Sequence, residues 1–140
     1  MIEYHYETDF ELSQPNKHTD WIINVARHKG RLIEGLNYIF CSDAYLLDIN
    51  QRFLKHDYLT DIITFPAEGN QSLAGDIFIS VDRVKENAEI YNVSFEEELR
   101  RVMVHGLLHL MGLTDATSEE KAVMRAEEDA MLKLFHVKQS

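Results

Sequence analysis

The stretch Ser94-Phe95-Glu96-Glu97-Glu98-Leu99-Arg100-Arg101-Val102-Met103-Val104-His105-Gly106-Leu107-Leu108-His109-Leu110-Met111-Gly112 describes a helix that a small protein cannot leave on its surface. Ser94 and Glu97 have the spacing of a capping box, in which each side chain satisfies a free backbone N–H at the helix start. From Val102 to Met111 the residues are apolar around most of the helix circumference, so this half must be surrounded by the rest of the chain. Gly112 is placed to close it with a left-handed C-terminal cap. A chain of 140 residues has material for one domain around such a helix.

The remaining patterns supply the surroundings. Ile2, Tyr4 and Tyr6 alternate with Glu3, His5 and Glu7, the period of a half-buried strand. Thr19 is expected to cap a helix running to about His28, with Trp21, Ile22, Val25 and Ala26 on its buried side and Gly30 stopping it. Leu36 to Cys41 reads as a second strand, after which Ser42 or Asp43 caps a helix carrying Leu46, Leu47, Ile49, Phe53 and Leu54, interrupted by Asn50. Ile62-Ile63-Thr64-Phe65, ending at Pro66, is a third strand, and Asp76 to Ser80 a fourth, joined by a polar loop over Glu68 to Ser72 of hairpin length. Val81 to Tyr91 is helical, and a second capping box, Thr117 with Glu120, opens a last helix to about Phe135. The expectation is an α+β fold over residues 1–140 as a single domain. Its small mixed sheet has four strands, with roughly five helices and the histidine-bearing helix at the centre. Strand order does not follow from these patterns.

His105 and His109 lie four residues apart, about 40° around a helix axis and one turn apart, so both imidazoles can face one point. After the reversal at Gly112, Asp115 returns a carboxylate towards that face, which completes an N,N,O set suited to one Zn²⁺ ion with a fourth position open. Buried imidazoles without partners are costly, and an ion supplies one partner to each. Gly106 weakens the helix by up to ~1 kcal/mol relative to alanine, a cost that close approach of another segment, or ordinary packing, explains. The ligand spacing matches that of metzincin peptidases. The general-base glutamate of that motif, however, falls on Gly106, which disfavours proteolysis.

His105-Gly106-x-Leu108-His109-Leu110-x-Gly112 resembles the signature of the YbeY family, metal-dependent endoribonucleases of ribosomal RNA maturation. Asn50-x-x-Phe53-x-x-His56-Asp57-x-x-Thr60-Asp61-Ile62-Ile63-Thr64-Phe65-Pro66 and Gly75-Asp76-Ile77-Phe78-Ile79-Ser80 are similar to two further blocks of the family, in its order. The resemblance implies cleavage of single-stranded RNA near the 3′ end of the small-subunit rRNA, service in ribosome quality control, and the small ribosomal subunit as partner. Two positions depart from the family. Asp115 stands where a histidine is usual, which adds negative charge and makes a bound ion a weaker Lewis acid. Leu54 stands where an arginine thought to assist phosphate chemistry is usual. The neighbouring cations Arg52 and Lys55, with His56, are the expected substrate-binding residues. No general base is assigned, and the nucleophile is either water or the RNA 2′-OH.

Composition bounds the alternatives. Lys and Arg number 14 against 24 Asp and Glu, a net charge of −10, so any contact with RNA must be local. The densest basic cluster joins Lys17 and His18 to Arg27, His28, Lys29 and Arg31. The acidic start, MIEYHYETDF, lacks the features of a secretory signal, and no apolar run is long enough to span a bilayer. Cys41 cannot form an internal disulfide, reads as a buried thiol, and suits the reducing cytoplasm. The competing reading is a non-catalytic ribosome-assembly factor that binds protein or RNA and uses the metal structurally.

Overall fold

The computed structural model describes residues 1–67 and 72–136. The expected loop over Glu68 to Ser72 therefore lies, apart from Ser72, outside the described residues. In chain order the elements are β1 (Ile2–Tyr6), α1 (Pro15–His28), β2 (Ile33–Cys41), α2 (Asp43–Leu54), β3 (Ile62–Pro66) and β4 (Leu73–Ser80). They continue with α3 (Val81–Tyr91), α4 (Phe95–Leu110), α5 (Ser118–Lys133) and a 3₁₀ turn over Leu134–His136. The fold is α+β, with five helices and a mixed four-stranded sheet, as the sequence patterns led us to expect.

The sheet order is β1-β2-β4-β3. β1 and β4 flank β2 in parallel, Tyr38 pairing with Tyr4 on one side and Ile77 on the other. β3 pairs antiparallel with β4 as a hairpin, Thr64 opposite Ile77. Alternation along the strands separates two apolar faces. Tyr38, Phe40, Ile77 and Ile79 face the main core with Trp21, Ile22 and Val25 of α1 and Val102, Met103, Leu107 and Leu108 of α4. Cys41 and Ile63 turn the other way, onto Leu46 and Ile49 of α2. Full burial of leucines such as Leu107 and Leu108 stabilises the fold by roughly 1.5–3 kcal/mol each. Tyr38 fixes α4 to the sheet by donating its hydroxyl to the Met103 carbonyl at 2.9 Å.

Gly106 is where α4 meets the sheet. A Cβ there would stand 2.8 Å from Ile62 Cδ1 and 2.9 Å from Ile77 Cγ2, so the helix lies this close only because the side chain is absent. Gly112 closes the helix at φ +106°, with its N–H donating to His109 O and that of Leu113 to Leu108 O. Both caps form: Ser94 Oγ accepts the Glu97 N–H at 3.1 Å, and at Thr117 the reciprocal box with Glu120 is complete.

One helix start differs from expectation. α1 begins at Pro15 and not after Thr19, because proline at the first helical position has its φ preset and no N–H to satisfy. Thr19 is then inside the helix, where its hydroxyl shares a 2.9 Å hydrogen bond with Tyr4 OH and ties α1 to β1. Cys41 is buried as expected. Its thiol, donating to Ile79 O at 3.4 Å, is pushed up to about 12 by burial and then by the nearby charges of Asp82, Glu7 and Asp43. At the far end of the core Trp21 Nε1 donates to Met131 O at 2.8 Å, joining α1 to α5. Among the described residues no helix is long and apolar enough to cross a membrane.

Candidate metal centre

α4 presents His105 and His109 one turn apart, their ring centroids 4.6 Å from each other. The reversal at Gly112 brings Asp115 back over them. His105 Nε2 lies 3.4 Å from Asp115 Oδ2, and His109 Nε2 lies 3.4 Å from Asp115 Oδ1. One ligand atom from each of the three residues falls within 4.8 Å of the others. A tetrahedral ion with bonds of about 2.0–2.2 Å holds its ligands about 3.4 Å apart, which the two histidine–carboxylate separations match, so the donor set suits a small divalent cation. The Asp115 loop is held from behind, since Glu120 Oε1 accepts the N–H groups of Ala116 and Thr117 at 3.0 Å each.

The sequence reading missed the residue that prepares His105. Glu128 of α5 accepts from His105 Nδ1 at 2.6 Å, which leaves the Nε2 lone pair directed towards Asp115 and His109. Such an outer carboxylate fixes the tautomer and ring orientation of a metal-binding imidazole. Glu128 is buried, and Arg101 holds it in turn: one guanidinium arm donates to Glu128 Oε1 at 2.9 Å and the other to Asp129 Oδ1 at 2.7 Å. A signal for Glu128 was present, because it shares the buried stripe of α5 with Met124 and Met131. A carboxylate on an apolar stripe needs a partner.

Asp61 is the second carboxylate outside the expected set. Asn50, read as an interruption of α2, is buried and organises the loop leading to it: Nδ2 donates to Tyr58 O at 2.9 Å, and Asn50 O accepts from His56 N at 3.1 Å. The loop delivers Asp61 to a cleft shared with His105, Asp115 and Glu128. Burial raises the Asp61 carboxyl above its ordinary range, the charge of His105 opposes this, and Glu128 and Asp115 add to it. Burial also resists charging of His105, but its hydrogen bond to Glu128 and the charges of Glu128, Asp115 and Asp61 outweigh that, so the imidazole is raised.

The remaining expected residues lie elsewhere. Arg52 is exposed on α2, 3.4 Å from Asp48 and over the Phe53 ring, while Lys55 caps α2 at φ 59°. His56 is exposed, its Nδ1 3.0 Å from Tyr58 OH. None of the three lines the cleft beside His105. In the basic cluster His18 is buried against Phe135 and is not presented at the surface. Lys29 pairs with Glu127, Arg31 donates to Met111 O at 3.5 Å, and Arg27 is exposed.

A family model described as Endoribonuclease YbeY matches residues 2–136. The chain belongs to the YbeY family. A YbeY relative from Flavobacterium psychrophilum, bearing the name Endoribonuclease YbeY, is 47% identical over 140 residues, covering 100% of both chains. One of the same name from Bacteroides thetaiotaomicron is 44% identical over 114 residues, covering 81% of this chain and 83% of its own. The solution structure of TM1509 from Thermotoga maritima superposes with a TM-score of 0.68 at 25% identity, covering 96% of this chain and 89% of that one. The His105, His109 and Asp115 group, which could hold a metal ion, is therefore carried on a chain that its family matches over nearly its whole length.

Proposed function

We propose that this chain is a zinc-dependent endoribonuclease that cuts single-stranded RNA during maturation of the small-subunit rRNA 3′ end. In this reading the whole chain is one hydrolase unit, working in the cytoplasm on the small ribosomal subunit and serving ribosome quality control. The observation that carries it is the pairing of an N,N,O donor set with the Glu128 carboxylate behind His105, in a chain of the YbeY family. His105, His109 and Asp115 would hold the ion, and Glu128 with Arg101 orients the first of them. When bound, the ion supplies Lewis acidity, lowering the pKa of water and offsetting negative charge on phosphate. Gly106 offers no side chain to accept a proton, so a second carboxylate beside the ligands is not supplied by α4 as it is in zinc peptidases.

The deciding assay compares the metal-loaded wild type with Asp115→Ala on a single-stranded RNA, with metal content measured in parallel. Loss of both metal and cleavage in the variant is expected; equal cleavage by the two proteins defeats the proposal. A 2′,3′-cyclic phosphate on the product marks the RNA 2′-OH as nucleophile, and a 5′-phosphate with a free 3′-hydroxyl marks water. The net charge of −10 favours one other reading, a ribosome-assembly factor in which the metal is structural. That reading predicts association with the small subunit and no cleavage by the metal-loaded protein.

A further inference from the structure

The cleft beside His105 holds more than a metal centre requires. It has a volume of about 250 Å³, and its walls include Asn87 and Tyr91 of α3, Arg101 of α4 and Arg125 of α5. That volume is just below the roughly 300–1,000 Å³ of small-molecule sites, room for a phosphate with part of its nucleotide and not for a folded nucleic acid. Its two arginines differ in kind. Arg101 has both arms engaged, on Glu128 and Asp129. Arg125 is exposed on the cleft wall and makes no hydrogen bond or ion pair among the described residues, although its charge is felt by Glu98 in the same cleft. Tyr91, which lines the same cleft, is 57% exposed, an aromatic ring left at a polar cleft.

The charges order the events. Four carboxylates, Asp61, Glu98, Asp115 and Glu128, line the cleft with two guanidinium groups, so an anion is repelled until a divalent cation is bound. Once that charge is balanced, the guanidinium of Arg125 is the uncommitted donor. A guanidinium matches phosphate oxygens with two parallel N–H groups, and bases stack on exposed aromatic rings whatever their sequence.

We infer that this cleft is a nucleotide subsite, in which Arg125 takes a phosphate of the RNA next to the metal ligands and Tyr91 stacks on its base. The inference rests on the endoribonuclease reading and names where the substrate sits. It also supplies a phosphate-binding cation that Leu54 does not, from a different helix.

The test uses the metal-loaded full chain and a short single-stranded oligoribonucleotide, with kcat, KM and their salt dependence measured. Arg125→Ala should lower kcat/KM about 10- to 100-fold and flatten the slope of log kcat/KM against log salt by about 0.7, the signature of one lost phosphate contact. Arg125→Lys should recover part of the rate. Tyr91→Ala should raise KM about fivefold or more, and Tyr91→Phe, which keeps the ring, should recover most of that loss. Metal content should equal that of the wild type in all four variants. If the wild type cleaves and Arg125→Ala and Tyr91→Ala match it, the subsite is wrong and the endoribonuclease reading stands. If the metal-loaded wild type neither binds nor cleaves the RNA, the endoribonuclease reading fails and the subsite with it.

Discussion

Glu128 accepts the Nδ1 hydrogen of His105 at 2.6 Å across the gap between α5 and α4, so one face of the imidazole is already committed before any ion arrives. Preparing the ligand in this way stabilises one tautomer and one ring orientation. Glu128→Ala is therefore expected to weaken binding of a divalent metal ion about 10- to 100-fold, and Glu128→Gln, which keeps the shape, to weaken it less. Competition with a chromophoric chelator gives both affinities. Equal affinity in Glu128→Ala and wild type would show that the contact does not tune the site.

Asp115 admits a sharper comparison. Asp115→Ala removes one donor and should abolish stoichiometric metal, whereas Asp115→His restores three neutral imidazoles and should retain it. Because a carboxylate donor reduces the Lewis acidity of an ion, the histidine variant should cut RNA at least as fast per bound metal. Elemental analysis and single-turnover cleavage of the same preparations check this; a metal-replete Asp115→Ala protein would remove Asp115 from the ligand set.

Gly106→Ala tests the helix approach. The added methyl meets Ile62 Cδ1 at 2.8 Å and Ile77 Cγ2 at 2.9 Å, and overpacking of a tight core costs roughly 1–3 kcal/mol. Better helix propensity returns up to ~1 kcal/mol, leaving a net loss of about 1 kcal/mol and a Tm lower by a few degrees. Adding Ile62→Val, which deletes the nearer atom, should recover part of the loss. A stabilised Gly106→Ala protein would contradict the packing described here.

His18 gives a pH dependence with a definite sign. Burial lowers its pKa below 6.5, the hydrogen bond to Gln14 O opposes this, and Arg100 and Lys17 add to the lowering. Trp21 and Phe135 are its aromatic neighbours, at 6.3 and 5.0 Å. The unfolded chain thus takes up a proton below about pH 6.5 that the folded chain does not, and stability falls from there down to the folded pKa. His18→Gln lacks this slope. The raised pKa of His105 acts with opposite sign but is present in both proteins and cancels in the comparison. The Tm advantage of wild type over His18→Gln in metal-free protein should shrink between pH 7 and pH 5. A constant gap would exclude the effect.

What could be read from the sequence was local. The pairing of His105 with His109, the buried half of α4, the cap at Thr117 and the strain signalled by Gly106 all arise from spacings within one or two helical turns. Pro15 carried a local signal too, which Thr19 obscured because both residues favour helix starts. The partners of these features come from far along the chain. Glu128 is 23 residues from His105, and Ile62 and Ile77 reach Gly106 only through the hairpin. The order β1-β2-β4-β3 depends on how α4 fills one face of the sheet, which no strand encodes by itself. Arg52 and Lys55 flank Leu54 in sequence, but neither lines the cleft, which draws its cations from α4 and α5.

Trp21 is the only indole in the 140 residues, and its N–H is held by the Met131 carbonyl of α5, the helix that also carries Glu128 and begins just after Asp115. Any event that loosens α5 from α4, including loss of whatever ion is held between α4 and the Asp115 loop, changes the environment of that one chromophore. The protein thus contains its own optical gauge of whether the helix behind the metal centre is seated, and intrinsic fluorescence can follow it without a label.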